Sequence, residues 1–133
     1  MDENEKFESA VIQQAPPGAV LVGSSISPDG RFGASLTLLP SANHYPMDDV
    51  FIRTSDGWQL FYGGSGGGIS WGSLGQNESG GVLRYADEAH EGTAVSVIEY
   101  EGVEHRIPVR HGHFLFVAWD TPYSRDPVLI GFE

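Results

Sequence analysis

Residues 50–62, VFIRTSDGWQLFY, decide the fold, because they have the pattern of a complete β-hairpin. Residues 50–54 and 58–62 are rich in β-branched and aromatic side chains, and Ser-Asp-Gly between them has the composition of a tight turn. On the return strand Trp58, Leu60 and Tyr62 alternate with their neighbours. This period of two predicts that the three side chains share one core-facing side.

The same signature recurs on both sides of this hairpin. It is found at residues 20–26, 32–38, 82–86, 93–100, 103–107, 113–119 and 128–132. Eight or nine short strands with turn signals every 8–12 residues predict an all-β fold. We expect an antiparallel β-sandwich, immunoglobulin-like or related, with a small β-barrel as the alternative. Pro108 favours the sandwich, because a residue without an N–H suits a place where the chain bends between sheets.

Apolar patterning predicts which side chains form the core. Residues 113–119 are apolar on both faces, which predicts a central strand that is covered on both sides. The predicted buried residues are Phe32, Leu36, Leu38, Ile52, Leu60, Val97, Leu115, Val117 and Trp119.

Residues 1–17 differ from the rest of the chain. They carry four acidic residues and one lysine, and Pro16-Pro17 close the segment. We expect an acidic N-terminal tail. A short helix from Asn4 to Gln14 is one option for it, with Phe7 on the apolar side, although a lone helix of this length is marginal in water. Residues 18–133 are then expected to form a single domain.

Composition excludes several classes of function. The 133 residues include no cysteine, which removes disulfides, thiolate zinc sites and a cysteine nucleophile. Seven Lys and Arg against 18 Asp and Glu give a net charge of −11, which argues against nucleic-acid binding. No motif points to a cofactor. The acidic start MDENEK and the short apolar runs predict a cytoplasmic protein without membrane insertion, or an extracytoplasmic one if an anchor has been removed.

Two short motifs are weaker than they look. Residues 63–67, Gly-Gly-Ser-Gly-Gly, match the G-x-S-x-G pattern of hydrolase nucleophiles, but no helix is predicted after them. We therefore expect Ser65 to lie in a connection between strands. Asn77-Glu78-Ser79 has the letters of a glycosylation sequon, which matters only in a secreted eukaryotic protein.

The histidines give a metal-dependent alternative. His111 and His113, with His105 nearby, can supply ligands to zinc if they converge. A tight turn fits the His-Gly-His pattern better, with Gly112 at positive φ and Arg110 opposite His113. The histidines are then exposed and dispersed, and we predict no metal site.

Aromatic and acidic residues near the predicted loops are the candidate binding residues. Trp71 and Tyr62 flank the glycine run and can stack on a sugar ring or on a partner's side chains. Asp87, Glu88 and Glu91 form an acidic loop at a strand end, where β-sandwiches carry recognition. Asp48-Asp49 and Asp56 also lie near predicted turns, but no calcium-loop pattern is present.

The Glu101-Gly102 turn fixes a register for its hairpin. Counting outward, Glu99 faces Glu104, and these like charges need compensation. Arg106 lies on the same face, so we predict that it contacts Glu99, Glu104 or both. His105 is then on the opposite face, beside Ile98.

Residues 95–122 carry a resemblance. A strand, a glycine turn, the segment IPVRHG and the aromatic strand HFLFVAWDTP follow one another. This order resembles a small β-domain pattern in uncharacterised actinobacterial proteins, where the domain often lies outside the membrane. The resemblance implies a bacterial source and strand-and-turn structure, and it implies no activity or catalytic residue.

These observations predict a non-catalytic binding domain. Its ligand is expected to be another protein, and an acidic inhibitor or immunity-type protein for a basic partner is one variant. The alternatives are a metal-binding protein or metal-dependent enzyme that uses His105, His111 and His113, and a carbohydrate-binding module that uses Trp71 and Tyr62.

Overall fold

A computed structural model describes residues 1–40, 44–75, 80–122 and 125–133 of the chain. Within these residues the secondary structure comprises one α-helix and ten β-strands. They are α1 (Glu3–Gln14), β1 (Val20–Ile26), β2 (Phe32–Leu38), β3 (Pro46–Thr54), β4 (Gly57–Ser65), β5 (Gly68–Ser73), β6 (Gly81–Glu88), β7 (Val95–Tyr100), β8 (Val103–Pro108), β9 (His113–Thr121) and β10 (Val128–Phe132). Strands make up 58% of the chain and form three antiparallel sheets, with no closed barrel among the described residues. The prediction of an all-β, sandwich-like fold is confirmed.

The chain divides into two compact units, an N-terminal unit of residues 1–67 and a C-terminal unit of residues 68–133. The division falls within the glycine run. Gly66 and Gly67, between β4 and β5, have φ of 85° and 75°, which residues with a Cβ rarely adopt. Ser65 ends β4, and its side chain is outside the described residues, as is the sequon 77–79. The single domain expected over 18–133 stays a prediction.

Helix α1 has clear signals at both ends. Asp2 is the N-cap, and its Oδ1 accepts a hydrogen bond from the Glu5 N–H at 2.8 Å. Glu3 and Glu5 place negative charge in the first turn, where the helix dipole favours it. Ala15 is extended, with ψ of 158°, because the residue before a proline avoids helical backbone. The helix considered for this segment is therefore present.

The helix packs on the first sheet, so it is part of the N-terminal unit and no separate tail. Phe7, with 0% exposure, and Val11 lie one turn apart on one side of α1. They form a core with Phe51 and Trp58, whose ring centroids lie 5.7 and 4.6 Å from that of Phe7. The Phe7 ring lies against Gly33 of β2, where a Cβ would overlap the phenyl ring. Burial of this apolar side stabilises a helix that is marginal alone.

The first sheet has the strand order β1-β2-β3-β4, so each strand pairs with its neighbour in sequence. The turn between β1 and β2 is closed by a hydrogen bond from the Gly30 N–H to the Ser27 carbonyl at 2.9 Å. Every residue of β2 is buried, which includes the predicted core residues Phe32, Leu36 and Leu38. Ile52 is half-buried.

A β-bulge in β4 overturns the prediction that Trp58, Leu60 and Tyr62 share one face. Val50 pairs with Tyr62 and Phe51 pairs with Leu60, so Phe61 is the extra residue. Because Val50 and Phe51 point to opposite sides of β3, Tyr62 lies on the side away from the helix. Leu60 keeps the helix side, but 56% of its surface is exposed, so its predicted burial is wrong.

The C-terminal unit is a small two-layer sandwich. Its second sheet has the order β5-β6-β9, and its third sheet has the order β10-β7-β8. Both sheets contribute to one core, which consists of Leu83, Ile98, Tyr100, Phe114 and Phe116.

Strand β9 lies at one side of the second sheet, and β6 is its central strand. The prediction that residues 113–119 form a central strand is therefore wrong. Leu115 and the predicted core residue Val97 are buried, whereas Val117 and Trp119 are half-buried. Pro108 ends β8, after which the chain leaves the third sheet for the second, as expected.

The β7–β8 hairpin has the predicted register. Glu99 pairs with Glu104, and Ile98 pairs with His105. Positive φ at both turn residues, 52° at Glu101 and 77° at Gly102, fits the turns that suit hairpins. Arg106 makes an ion pair with Glu104 at 3.9 Å, which confirms the predicted contact, and a second with Glu133 at 3.2 Å, which was not predicted.

Candidate functional site

A pocket of about 230 Å³ opens in the N-terminal unit where the first sheet continues beyond the end of α1. We call it the helix-end pocket. Its lining consists of Val11, Gln14, Ala15, Pro16, Thr37, Leu39, Met47, Asp49, Phe51 and Leu60. Because Pro16 ends the helix, α1 covers only part of the face of the first sheet on which it packs. The adjoining part carries the pocket.

The wall of the helix-end pocket is mainly apolar. Seven of its ten lining residues are apolar or proline, and Gln14, Thr37 and Asp49 supply the polar atoms. The Gln14 Nε2 donates a hydrogen bond to the Trp58 carbonyl at 2.8 Å, which holds this side chain against the sheet. The exposed side chain of Leu60 stands at the pocket and offers apolar surface to a ligand.

Asp49 is the one charged residue of the pocket lining. It lies on the helix side of β3, opposite Gly63 of β4, where a Cβ would lie 2.9 Å from the Asp49 Oδ1. Glycine at position 63 thus leaves room for the carboxylate. On its other side Asp49 pairs with Ser35, whose hydroxyl is buried and forms no hydrogen bond with any described residue.

Asp48 and Asp49 were expected near a turn, and this expectation is wrong. Both belong to β3, and Asp48 is only 1% exposed, on the side of the sheet opposite Asp49. Asp56 does lie in a turn, between β3 and β4. These three carboxylates therefore do not share one loop.

Trp71 and Tyr62, the predicted aromatic binding residues, lie in different units and are both half-buried. The Trp71 Nε1 donates a hydrogen bond to the Thr121 carbonyl at 2.8 Å, and the indole packs on the core of the sandwich. The Tyr62 ring lies 5.2 Å from that of Phe61. Trp71 thus has a structural role, and ligand binding by either residue stays a prediction.

The predicted acidic loop is exposed in the C-terminal unit. Asp87 and Glu88 end β6, and Glu91 lies in the turn that follows. The Asp87 Oδ1 accepts a hydrogen bond from the Glu88 N–H at 2.8 Å. Burial raises the pKa of the Tyr85 phenol, and the negative charge of Asp87 raises it further. Binding by these three acids stays a prediction.

His105 lies in β8, His111 in the turn that follows, and His113 at the start of β9. His111 is at the tip of a turn with φ of 53°, followed by Gly112 at 74°, and Arg110 pairs with His113 as predicted. The His105 ring lies on that of Phe116, with centroids 5.0 Å apart. Among residues 1–40, 44–75, 80–122 and 125–133, no three His, Cys, Asp or Glu side chains form a group suited to a metal ion.

The helix-end pocket was missed from the sequence, although two of its signals were present. Pro16 marked the end of the helix, and the alternation of Met47, Asp49 and Phe51 marked one face of a strand. The missing information was that the N-terminal segment packs on that face.

In the part that the structure describes, no helix combines the length and apolar character needed to cross a bilayer. No family model, curated protein or solved structure matches the sequence or the fold.

Proposed function

We propose that this protein is a non-catalytic binding protein that docks another protein through the helix-end pocket. The observation that carries the proposal is the pocket itself, a mainly apolar recess of about 230 Å³ beside the exposed side chain of Leu60. An apolar recess on a surface is the kind of feature that partners use.

The size of the pocket favours a protein ligand. Sites for drug-sized molecules have volumes of roughly 300–1,000 Å³. The helix-end pocket is smaller, and its volume suits one large side chain. Protein interfaces concentrate binding energy in a few such anchor residues, which fill pockets near the centre of the contact.

The chemistry of the lining supports a binding role without catalysis. Asp49 is the one acidic or basic side chain of the lining. Acyl and phosphoryl transfer use a nucleophile or base together with groups that stabilise developing charge. Recognition of a ligand requires only a polar group in a mainly apolar wall, and Asp49 is such a group.

Charge indicates the type of partner. The net charge of −11 produces a field that attracts basic proteins and speeds their association. An inhibitor or immunity-type protein that covers a basic surface is the variant of this function that fits the charge best.

The other two functions have less support. The His105 ring packs on Phe116, and no three possible metal ligands come together in the described part of the chain, which weakens the metal-binding alternative. The hydrogen bond from the Trp71 indole to the Thr121 carbonyl commits that ring to the sandwich, which weakens the carbohydrate-binding alternative.

A peptide library displayed on phage tests the proposal. Peptides selected on the protein are expected to bind through the pocket, so that Ala15→Leu, which fills it, weakens their binding at least about tenfold. Ala94→Leu adds the same atoms at an exposed position of the C-terminal unit and serves as the matched control. Selected peptides that bind the Ala15→Leu variant as tightly as the unaltered protein would contradict the proposal.

A further inference from the structure

We infer that the helix-end pocket binds a tyrosine side chain of a basic partner, with the phenol hydroxyl on Thr37 and the ring against Met47 and Phe51. This inference rests on the proposed function, because it names the residue that the pocket receives. Three features of the lining carry it, namely a hydroxyl, a thioether and an aromatic ring.

Thr37 supplies the polar contact. It belongs to β2 and lines the pocket, and only 2% of its surface is exposed. Its hydroxyl makes no hydrogen bond with any residue that the structure describes. A partner that fills the pocket removes water from this hydroxyl, so a ligand group that hydrogen-bonds to it is favoured over one that does not.

The adjoining wall suits an aromatic ring. Met47 is the direct cross-strand neighbour of Thr37, so the two side chains lie on the same face of the sheet. A thioether makes favourable contacts with aromatic rings. Phe51 lines the same pocket, and pairs of aromatic rings contribute more than the area that they bury.

Tyrosine combines the two properties that this lining calls for. Its ring offers a large apolar surface, and its hydroxyl both donates and accepts, as the hydroxyl of a threonine does. Tyrosine has two side-chain torsions and therefore loses little conformational entropy on binding. The net charge of −11 attracts basic proteins, so we expect lysine or arginine residues on the partner around this tyrosine.

Other anchors fit less well. A leucine or phenylalanine anchor would cover the Thr37 hydroxyl and give it no hydrogen bond, which is unfavourable. An arginine or lysine anchor requires a carboxylate for its charge, and Asp49, the one acidic residue of the lining, already interacts within the chain. A tryptophan offers a single donor and no acceptor.

Three small probes test the inference on the full chain: N-acetyl-tyrosinamide, N-acetyl-phenylalaninamide and N-acetyl-leucinamide. In methyl NMR spectra of the labelled protein, the tyrosine probe is expected to shift the signals of Val11, Leu39 and Leu60, because its ring lies among the methyl groups of the lining. The phenylalanine probe has the same ring without the hydroxyl, and it should bind at least about threefold more weakly.

Variants locate the hydroxyl that causes this preference. Thr37→Val replaces the hydroxyl with a methyl group, so the tyrosine and phenylalanine probes should bind it equally. Thr37→Ser retains a hydroxyl and should keep the preference for tyrosine. Thr93→Val is the matched control, because it removes a threonine hydroxyl outside the lining, one that donates to the His90 carbonyl, and it should also keep the preference.

The outcomes separate this inference from the proposed function. Equal binding of the tyrosine and phenylalanine probes to the unaltered protein overturns the inference, and this comparison holds even if Thr37→Val does not fold. An unchanged preference in Thr37→Val overturns it too. If the leucine probe shifts the pocket methyl signals and the tyrosine probe does not, the inference fails and the proposed function stands. If none of the three probes shifts them, both fail.

Discussion

Phe7→Ala and Gly33→Ala, made singly and together, test whether α1 is part of the N-terminal core. Removing the fully buried Phe7 ring, which contacts Phe51 and Trp58, is expected to cost about 3–5 kcal/mol. Alanine at position 33 meets the ring from below and should cost about 1–3 kcal/mol through overpacking.

The double variant carries the decisive information. With the ring gone, the new methyl group at position 33 has space, so the combined loss should be smaller than the sum by about 1–3 kcal/mol. Urea unfolding followed by circular dichroism and tryptophan fluorescence measures each free energy. Gly131→Ala is the control, because a Cβ there meets nothing within 4 Å and the change should be neutral or stabilising by up to about 1 kcal/mol. Additive losses, or a loss below about 1 kcal/mol for Phe7→Ala, would refute the packing of α1 on β2.

Three further predictions concern single side chains. Leu115→Ala should cost about 2–5 kcal/mol, whereas the exposed Leu60→Ala should cost less than about 1 kcal/mol; the same urea experiment checks both. Trp71→Phe removes the indole donor and should cost about 1–3 kcal/mol, which shows that this ring is structural. Asp87→Asn should lower the pKa of Tyr85 without restoring the ordinary value of 10.0, since burial is the larger cause of the shift. An ultraviolet absorbance titration measures this pKa when the curve of a Tyr85→Phe variant is subtracted, which leaves the signal of Tyr85 alone. Because that pKa is raised in the folded protein, its contribution to stability is present below pH 10 and is lost as the pH rises through the folded pKa.

Local chemistry made some features predictable from the sequence. The Glu101-Gly102 turn fixes the register of its hairpin, because a two-residue turn leaves only one way to pair the strands. The pairing of Arg110 with His113 followed in the same way from the glycine at position 112. These predictions needed no knowledge of distant residues.

Features that depend on distant contacts were not predictable. No glycine or proline marks the bulge at Phe61. The alternation of side chains along β4 therefore predicted the wrong face of the sheet for Tyr62. The place of β9 at the side of its sheet depends on which strands pair, which apolar content does not reveal. The helix-end pocket requires the packing of α1 on β3, and the amphipathic pattern of α1 alone does not name its partner.

The strand order of the first sheet has a consequence for how the chain acquires its structure. Strands β1 to β4 pair in the order of synthesis, so each pairing closes only a short loop, and short loops close quickly. In the C-terminal unit, by contrast, β7 pairs with β10 and β6 with β9, across longer stretches of chain. We therefore expect residues 1–67 to fold on the ribosome while the strands of the sandwich are still being made. Pulse-labelling hydrogen exchange should find the amides of β2 and β3 protected before those of β7.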